Sequence, residues 1–112
     1  MDDDVMAERE YTLPESDPPI SITITLRQPR KRQSDGRFEC EVTIIDPDNT
    51  DVRRMNGEDA FEALQLGLIY LGTTVKHINE QHDGALTWRT THPEDLGLPT
   101  YPDFSLKAIM NA

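Results

Sequence analysis

The sequence predicts an α+β fold, an antiparallel sheet of three to five strands with one long helix packed on one face. Three observations carry this. Ile20, Ile22, Ile24 and Leu26 alternate with Ser21, Thr23, Thr25 and Arg27. The same period returns where Phe38, Cys40, Val42 and Ile44 alternate with Arg37, Glu39, Glu41 and Thr43. Between Ala60 and Ile78 the apolar residues recur at helical spacing instead. A period of two built from β-branched residues marks a half-buried strand, and a period near 3.6 marks a helix with one face on a core.

The chain opens with acids and reaches Pro18-Pro19, so residues 1–19 form an acidic lead-in, within which Arg9, Tyr11 and Leu13 alternate as a short edge strand would. Residues 20–99 make a single α+β domain. The two clear strands are joined through a basic turn, Arg27 to Arg32, and the Asp35-Gly36 turn signal, which makes them antiparallel neighbours. Asp46 to Asp51 is another turn, and Val52 to Met55 supply a short further strand. Asn56-Gly57-Glu58-Asp59 reads as a helix start, because a small polar cap followed by acids satisfies free N–H groups and complements the helix dipole. On a wheel Ala60, Leu64, Gly67, Leu68, Leu71, Val75 and Ile78 share the face directed at the sheet, with Gly67 permitting close approach. The helix ends near Gln81 or His82, ahead of Asp83-Gly84. Ala85 to Arg89, carrying Trp88, is a last strand candidate. Residues 100–112 form a tail with room for a short helix from Asp103 to Met110.

At 112 residues there is room for one core. The net charge of −10, from 21 acidic and 11 basic residues, repels nucleic acid and anionic membranes and attracts cationic protein surfaces. Cys40 is the single cysteine, which excludes an intramolecular disulfide and gives no sign of an oxidising compartment. The opening Met1-Asp2-Asp3-Asp4 is unlike a basic signal peptide, and the longest apolar stretch, Ala63 to Val75, falls short of the roughly 20 residues a membrane span needs. A cytoplasmic location is the expectation, with no membrane and no nucleic-acid partner.

Particular segments go further: Ala7-Glu8-Arg9, Arg27-Gln28-Pro29, Phe38-Glu39-Cys40, Gly57-Glu58-Asp59-Ala60-Phe61-Glu62-Ala63-Leu64, Leu86-Thr87-Trp88 and Asp95-Leu96-Gly97-Leu98-Pro99. In these the chain resembles a small bacterial family of unknown function over residues 6 to 99. Similar sequences usually carry Gln where this one has Glu62. The resemblance implies a sheet with one long helix in a bacterial cytosol, and it brings no catalytic residues.

No catalytic, metal or cofactor constellation stands out. Asp46, Asp48 and Thr50 have the early spacing of a calcium loop, but Asp51 stands where glycine is required and Gly57 where the closing glutamate belongs. His77 and His82 are five apart, on different helix faces, and His92 adds no thiolate partner. Glu58, Asp59 and Glu62 could pair as acid and base, yet acids in a first helical turn need no such role. Cys40, facing inward on a strand, reads as a small core side chain. The basic cluster Arg27, Arg30, Lys31, Arg32 and Arg37 lacks interleaved aromatics and reads as a solvated hairpin tip.

The feature pointing to function is a second apolar stripe on the helix, Leu66, Ile69 and Tyr70, continued by Thr73 and His77 and directed away from the core face. Either Phe104, Leu106, Ile109 and Met110 fold back over it, or another protein covers it. Glu58, Asp59, Glu62, Leu66, Ile69 and Tyr70 are therefore the expected partner-binding residues, Tyr70 serving as an aromatic anchor ringed by acids. The expected function is that of a non-enzymatic acidic binding module, a bacterial immunity or antitoxin-type protein that neutralises a cationic toxin. The alternative is a homo-oligomeric structural or adaptor domain, a dimer through the long helix.

Overall fold

The computed structural model describes residues 4–14, 16–88 and 96–99. It contains five strands followed by one helix: β1 (Val5–Leu13), β2 (Ile20–Arg27), β3 (Arg30–Lys31), β4 (Phe38–Ile45), β5 (Thr50–Gly57) and α1 (Ala60–Gln81). All strand pairings are antiparallel. The α+β architecture expected from the alternation is thus the one observed.

β2 and β3 lie end to end along one flank of β4 and β5 lies along its other flank, so β4 is central. The register Thr23↔Ile45 to Leu26↔Val42 gives way to Arg30↔Glu39, a slip of one residue that falls at Gln28-Pro29. Pro29 has no N–H to give a ladder, so the pairing is interrupted there at little loss. β1 extends the sheet beyond β2 and is longer than the short edge strand expected of the lead-in. Its Tyr11 and Leu13 belong to the core, so β1 packs as part of the sheet's inner face.

The inner face carries Tyr11, Leu13, Ile22, Ile24, Leu26, Cys40, Val42 and Ile44, all buried against Ala63, Leu71 and Val75 of α1 and Leu86. A Cβ built on Gly67 would stand 3.2 Å from both Cys40 Sγ and Val42 Cγ1, so the expected close approach of helix to sheet is present. Leu64, Leu68 and Ile78 pack on the core partly buried, as the wheel places them; the fully buried Ala63 lies outside that expected face.

The helix starts later than the sequence reading has it: Asn56-Gly57 close β5, Glu58 precedes the helix, and the cap falls on Asp59. Asp59 is the N-cap and its carboxylate accepts from the Glu62 N–H at 2.8 Å, while Glu62 Oε1 reaches back to the Glu58 N–H at 2.8 Å. The first bond satisfies one of the donors that the first turn leaves open, and the second satisfies the N–H of the residue just before the cap. The helix ends at Gln81 with His82 as C-cap. The strand expected over Ala85 to Arg89 is reduced, among the described residues, to a bridge between Thr87 and Thr12. The expected helix at Asp103 to Met110 lies outside the described residues, as does His92.

Candidate functional site

The expected partner-binding residues divide into two groups. Glu58, Asp59 and Glu62 sit together where β5 passes into α1, and Leu66, Ile69 and Tyr70 lie further along the helix. The two groups do not form one open surface.

Leu66 and Ile69 are 7% and 3% exposed. The second stripe is apolar as expected, but it is buried by the chain itself and is not an open ridge. An uncovered stripe of this kind would hold apolar area against water at about 25 cal/mol per Å², and folding removes such area wherever the chain can reach it. Phe104, Leu106, Ile109 and Met110, the segment expected as a cover, are outside the described residues.

Tyr70 is half-buried and turned toward β5. Its hydroxyl donates to Asp51 Oδ2 at 2.6 Å, and Arg53 donates from Nε to Asp51 Oδ1 at 3.2 Å, with its guanidinium 5.8 Å from the Tyr70 ring centroid. Pairing explains this cluster. Cys40, Val42 and Ile44 face the helix, and their partners in β5 are Met55, Arg53 and Asp51. β5 therefore turns two charges toward α1, and Tyr70 is the helix residue that satisfies them. The Tyr70 hydroxyl, and then Arg53, hold the Asp51 carboxyl below its ordinary value. Burial, and then the Asp51 hydrogen bond, raise the Tyr70 phenol. Tyr70 thus ties the helix to the sheet edge, where sequence reasoning expects a free anchor.

Among the described residues the large exposed aromatic is Phe61, 77% accessible in the first turn of α1. It stands among Glu58, Asp59 and Glu62. Glu58 is 78% exposed and its carboxylate meets Arg37 at 3.5 Å. Asp59 and Glu62 are engaged in the cap but still contribute charge. Phe61 is in neither apolar stripe of the sequence reading, although its i+3 and i+7 neighbours Leu64 and Leu68 lie on the core face; the available signal is an aromatic in a first helical turn among acids.

Other candidates resolve into structure. Asp46 Oδ1 accepts from the Asp48 N–H at 2.9 Å, which makes the supposed calcium loop a hairpin turn. Among the described residues no cluster of three His, Cys, Asp or Glu could hold a metal ion. Cys40 is buried, its thiol pushed up to about 11 by burial. The arginines of the basic cluster meet acids: Arg27 with Glu41 at 2.8 Å, Arg30 with Asp4, Arg32 with Asp35 at 3.4 Å, and Arg37 with Glu58. No helix among the described residues is long and apolar enough to cross a membrane.

A second constellation holds the segment Leu96 to Pro99 in place. Tyr11, fully buried, donates to the Leu96 carbonyl at 2.6 Å, and Arg9 donates to the Leu96 and Gly97 carbonyls at 3.2 and 3.0 Å. The same guanidinium lies 3.8 Å from the centroid of the Trp88 ring. Pro99 closes on Gly72 of the helix. A cavity of about 300 Å³ lies beneath, lined by Ile24, Leu26, Leu68, Leu71 and Leu98 among others. A second, of about 490 Å³, opens between Pro18-Pro19, Asp46-Pro47-Asp48 and the end of α1. Glu58, Asp59 and Glu62 line neither.

The molecule is thus a five-stranded antiparallel α+β domain which, among the described residues, exposes an aromatic among acids and leaves a sheet edge at β5. The chain belongs to the domain-of-unknown-function family DUF6968, whose model matches residues 7–100. No curated protein and no solved structure matches it.

Proposed function

We propose that this domain is a non-enzymatic protein-binding module of the immunity or antitoxin type, acting in a bacterial cytoplasm to mask a cationic toxin. The observation that carries the reading is Phe61, an aromatic side chain left 77% exposed beside Glu58, Asp59 and Glu62. A large apolar side chain held on a rigid helix turn loses little entropy on docking, and acids around it select a basic partner and raise the rate of encounter. The net charge of −10 supplies the long-range part of that attraction. Glu58 provides exposed charge at the rim, while Asp59 and Glu62 act through their field because their oxygens already serve the cap. Leu66, Ile69 and Tyr70 support this surface from within the fold.

The test is affinity capture from the native host with the wild-type chain, Phe61→Ala and Glu58→Lys. Phe61→Ala should retain the fold and weaken the partner by about 2 kcal/mol, roughly thirtyfold, as expected for an anchor. Glu58→Lys should chiefly slow association and flatten its salt dependence. Recovery of the chain alone at every salt concentration, or a basic partner retained equally by Phe61→Ala, would refute the proposal.

A further inference from the structure

Among the described residues β5 is an edge strand, paired on one side. It pairs with β4 from Ile45↔Thr50 to Phe38↔Gly57 without a register shift, and no described strand pairs with its other side. Thr50, Val52, Arg53, Arg54 and Asn56 are all exposed. The hairpin fixes which backbone groups face outward. Asp46 and Asn49 exchange both main-chain bonds, at 2.9 and 3.4 Å, so they form a narrow pair. Narrow and wide pairs alternate in an antiparallel ladder. Asp51, Arg53 and Met55 therefore direct N–H and C=O to β4, and Thr50, Val52, Arg54 and Asn56 direct theirs away from the sheet.

From this geometry we infer that β5 joins β5 of a second copy of the chain, antiparallel, about a twofold axis at Val52. The register follows from charge and from the direction of the backbone groups. With Val52 opposite Val52 of the second copy, Thr50 lies opposite Arg54, and these are narrow pairs whose outward N–H and C=O groups meet. Asp51 then stands opposite Arg53 of the second copy, twice over, in the wide pairs where side chains approach most closely. A shift of the axis by one residue toward Asn56 sets Arg53 against Arg53, and by two sets Arg54 against Arg54; toward Thr50, a shift of one sets Asp51 against Asp51 and a shift of two runs the ladder into the Asp46–Asn49 turn. Like charges directly opposite are destabilising, so the two arginines that guard the edge against other pairings select this one. Val52, 46% exposed on the face away from the helix, meets its own equivalent. The helices lie together on the opposite face of the continuous sheet, because α1 packs over β4 and β5 in each copy. This interface is separate from the Phe61 surface and uses no residue of it.

Sedimentation velocity of the full chain into the sub-millimolar range should show reversible association to twice the monomer mass. Val52→Pro removes an outward N–H and no bond to β4, so it should give a folded monomer. Val52→Cys provides a readout that does not depend on proline being tolerated. Its sulfurs face each other across the axis, with a Cα separation near 5.5 Å that a disulfide spans. It should cross-link on oxidation, whereas Arg54→Cys, displaced from its equivalent by four residues of stagger, should not. Phe61→Ala should leave the dimer intact. A wild-type chain that stays monomeric throughout, a dimer that survives Val52→Pro, or cross-linking through Arg54→Cys in place of Val52→Cys would each overturn the inference.

Discussion

Three glycine-to-alanine substitutions measure how firmly Leu96 to Pro99 is seated, because each separates a different physical contribution. Gly84 has φ +78, and a Cβ added there would meet nothing within 4 Å, so Gly84→Ala registers left-handed backbone strain alone, about 1 kcal/mol. Gly97 has φ +74, and its Cβ would run into the Trp88 ring and stand 2.8 Å from Arg9 Nη1. The same strain plus overpacking of about 1–3 kcal/mol gives a loss of roughly 2–4 kcal/mol. Gly72 lies within α1, where alanine by itself would gain about 1 kcal/mol of helix propensity. Its Cβ, however, would fall on the Pro99 carbonyl and 3.2 Å from Leu98 Cβ, so the gain is cancelled or reversed. Urea unfolding with a common slope ranks the three, and a melting temperature falls by about 4 °C for each kcal/mol lost in a domain of this size. Gly72→Ala more stable than wild type by the full propensity gain, together with Gly97→Ala no worse than Gly84→Ala, would refute a seated segment.

Two further predictions concern titrating groups. Tyr70→Phe should cost about 0.5–1 kcal/mol, the worth of one partly solvated hydrogen bond, and should alter both limbs of the stability–pH curve. Because Asp51 is held below its reference value of 3.8, its contribution is complete above that value and is lost as pH falls through the lower folded one. Tyr70 is raised above 10.0, so its contribution is complete below that value and lost as pH rises through the folded one. The variant should show a shallower change on each limb, and denaturation midpoints unchanged in their pH dependence would count against the Asp51–Tyr70 bond. Cys40, raised to about 11, should resist thiol reagents in mildly alkaline buffer and react at the rate of global opening, and rapid labelling without denaturant would contradict its burial.

How much of this is legible in the sequence depends on whether a residue's environment is set locally. β2 and β4 are readable because alternate β-branched residues carry their own period, and the helix start is readable to within a few residues because polar and acidic residues cluster there, although the cap is Asp59 and not Asn56-Gly57. β5 reads short because its eight residues, Thr-Asp-Val-Arg-Arg-Met-Asn-Gly, have no apolar alternation. The ladder to β4 makes it a strand, and Tyr70 makes its inward charges tolerable. The stripe Leu66-Ile69 is recognisable as apolar, yet its burial cannot be derived, since a helical wheel records direction and carries no information about what else the chain brings there. Phe61 shows the converse: periodicity sets it beside Leu64 and Leu68, yet in the first turn it stays exposed, and a large apolar residue that packing does not use is a candidate for function.

Several of the residues singled out in the sequence have a structural task that accounts for their type and say little about binding. Arg9 grips Leu96 and Gly97, Trp88 stacks on Arg9, Pro99 closes on Gly72, and Glu62 and Asp59 form the cap. Glu62 illustrates the point: it acts as an acceptor for the Glu58 N–H, a bond that the carbonyl oxygen of Gln could also accept, so Glu62→Gln would preserve the cap while removing one charge from the Phe61 surface. Recognition is therefore to be sought in side chains that could change without loss of the fold, foremost Glu58, Phe61 and Val52. A Glu62→Gln variant that keeps its stability but associates more slowly with a cationic partner would place charge, and not the cap, at the origin of specificity.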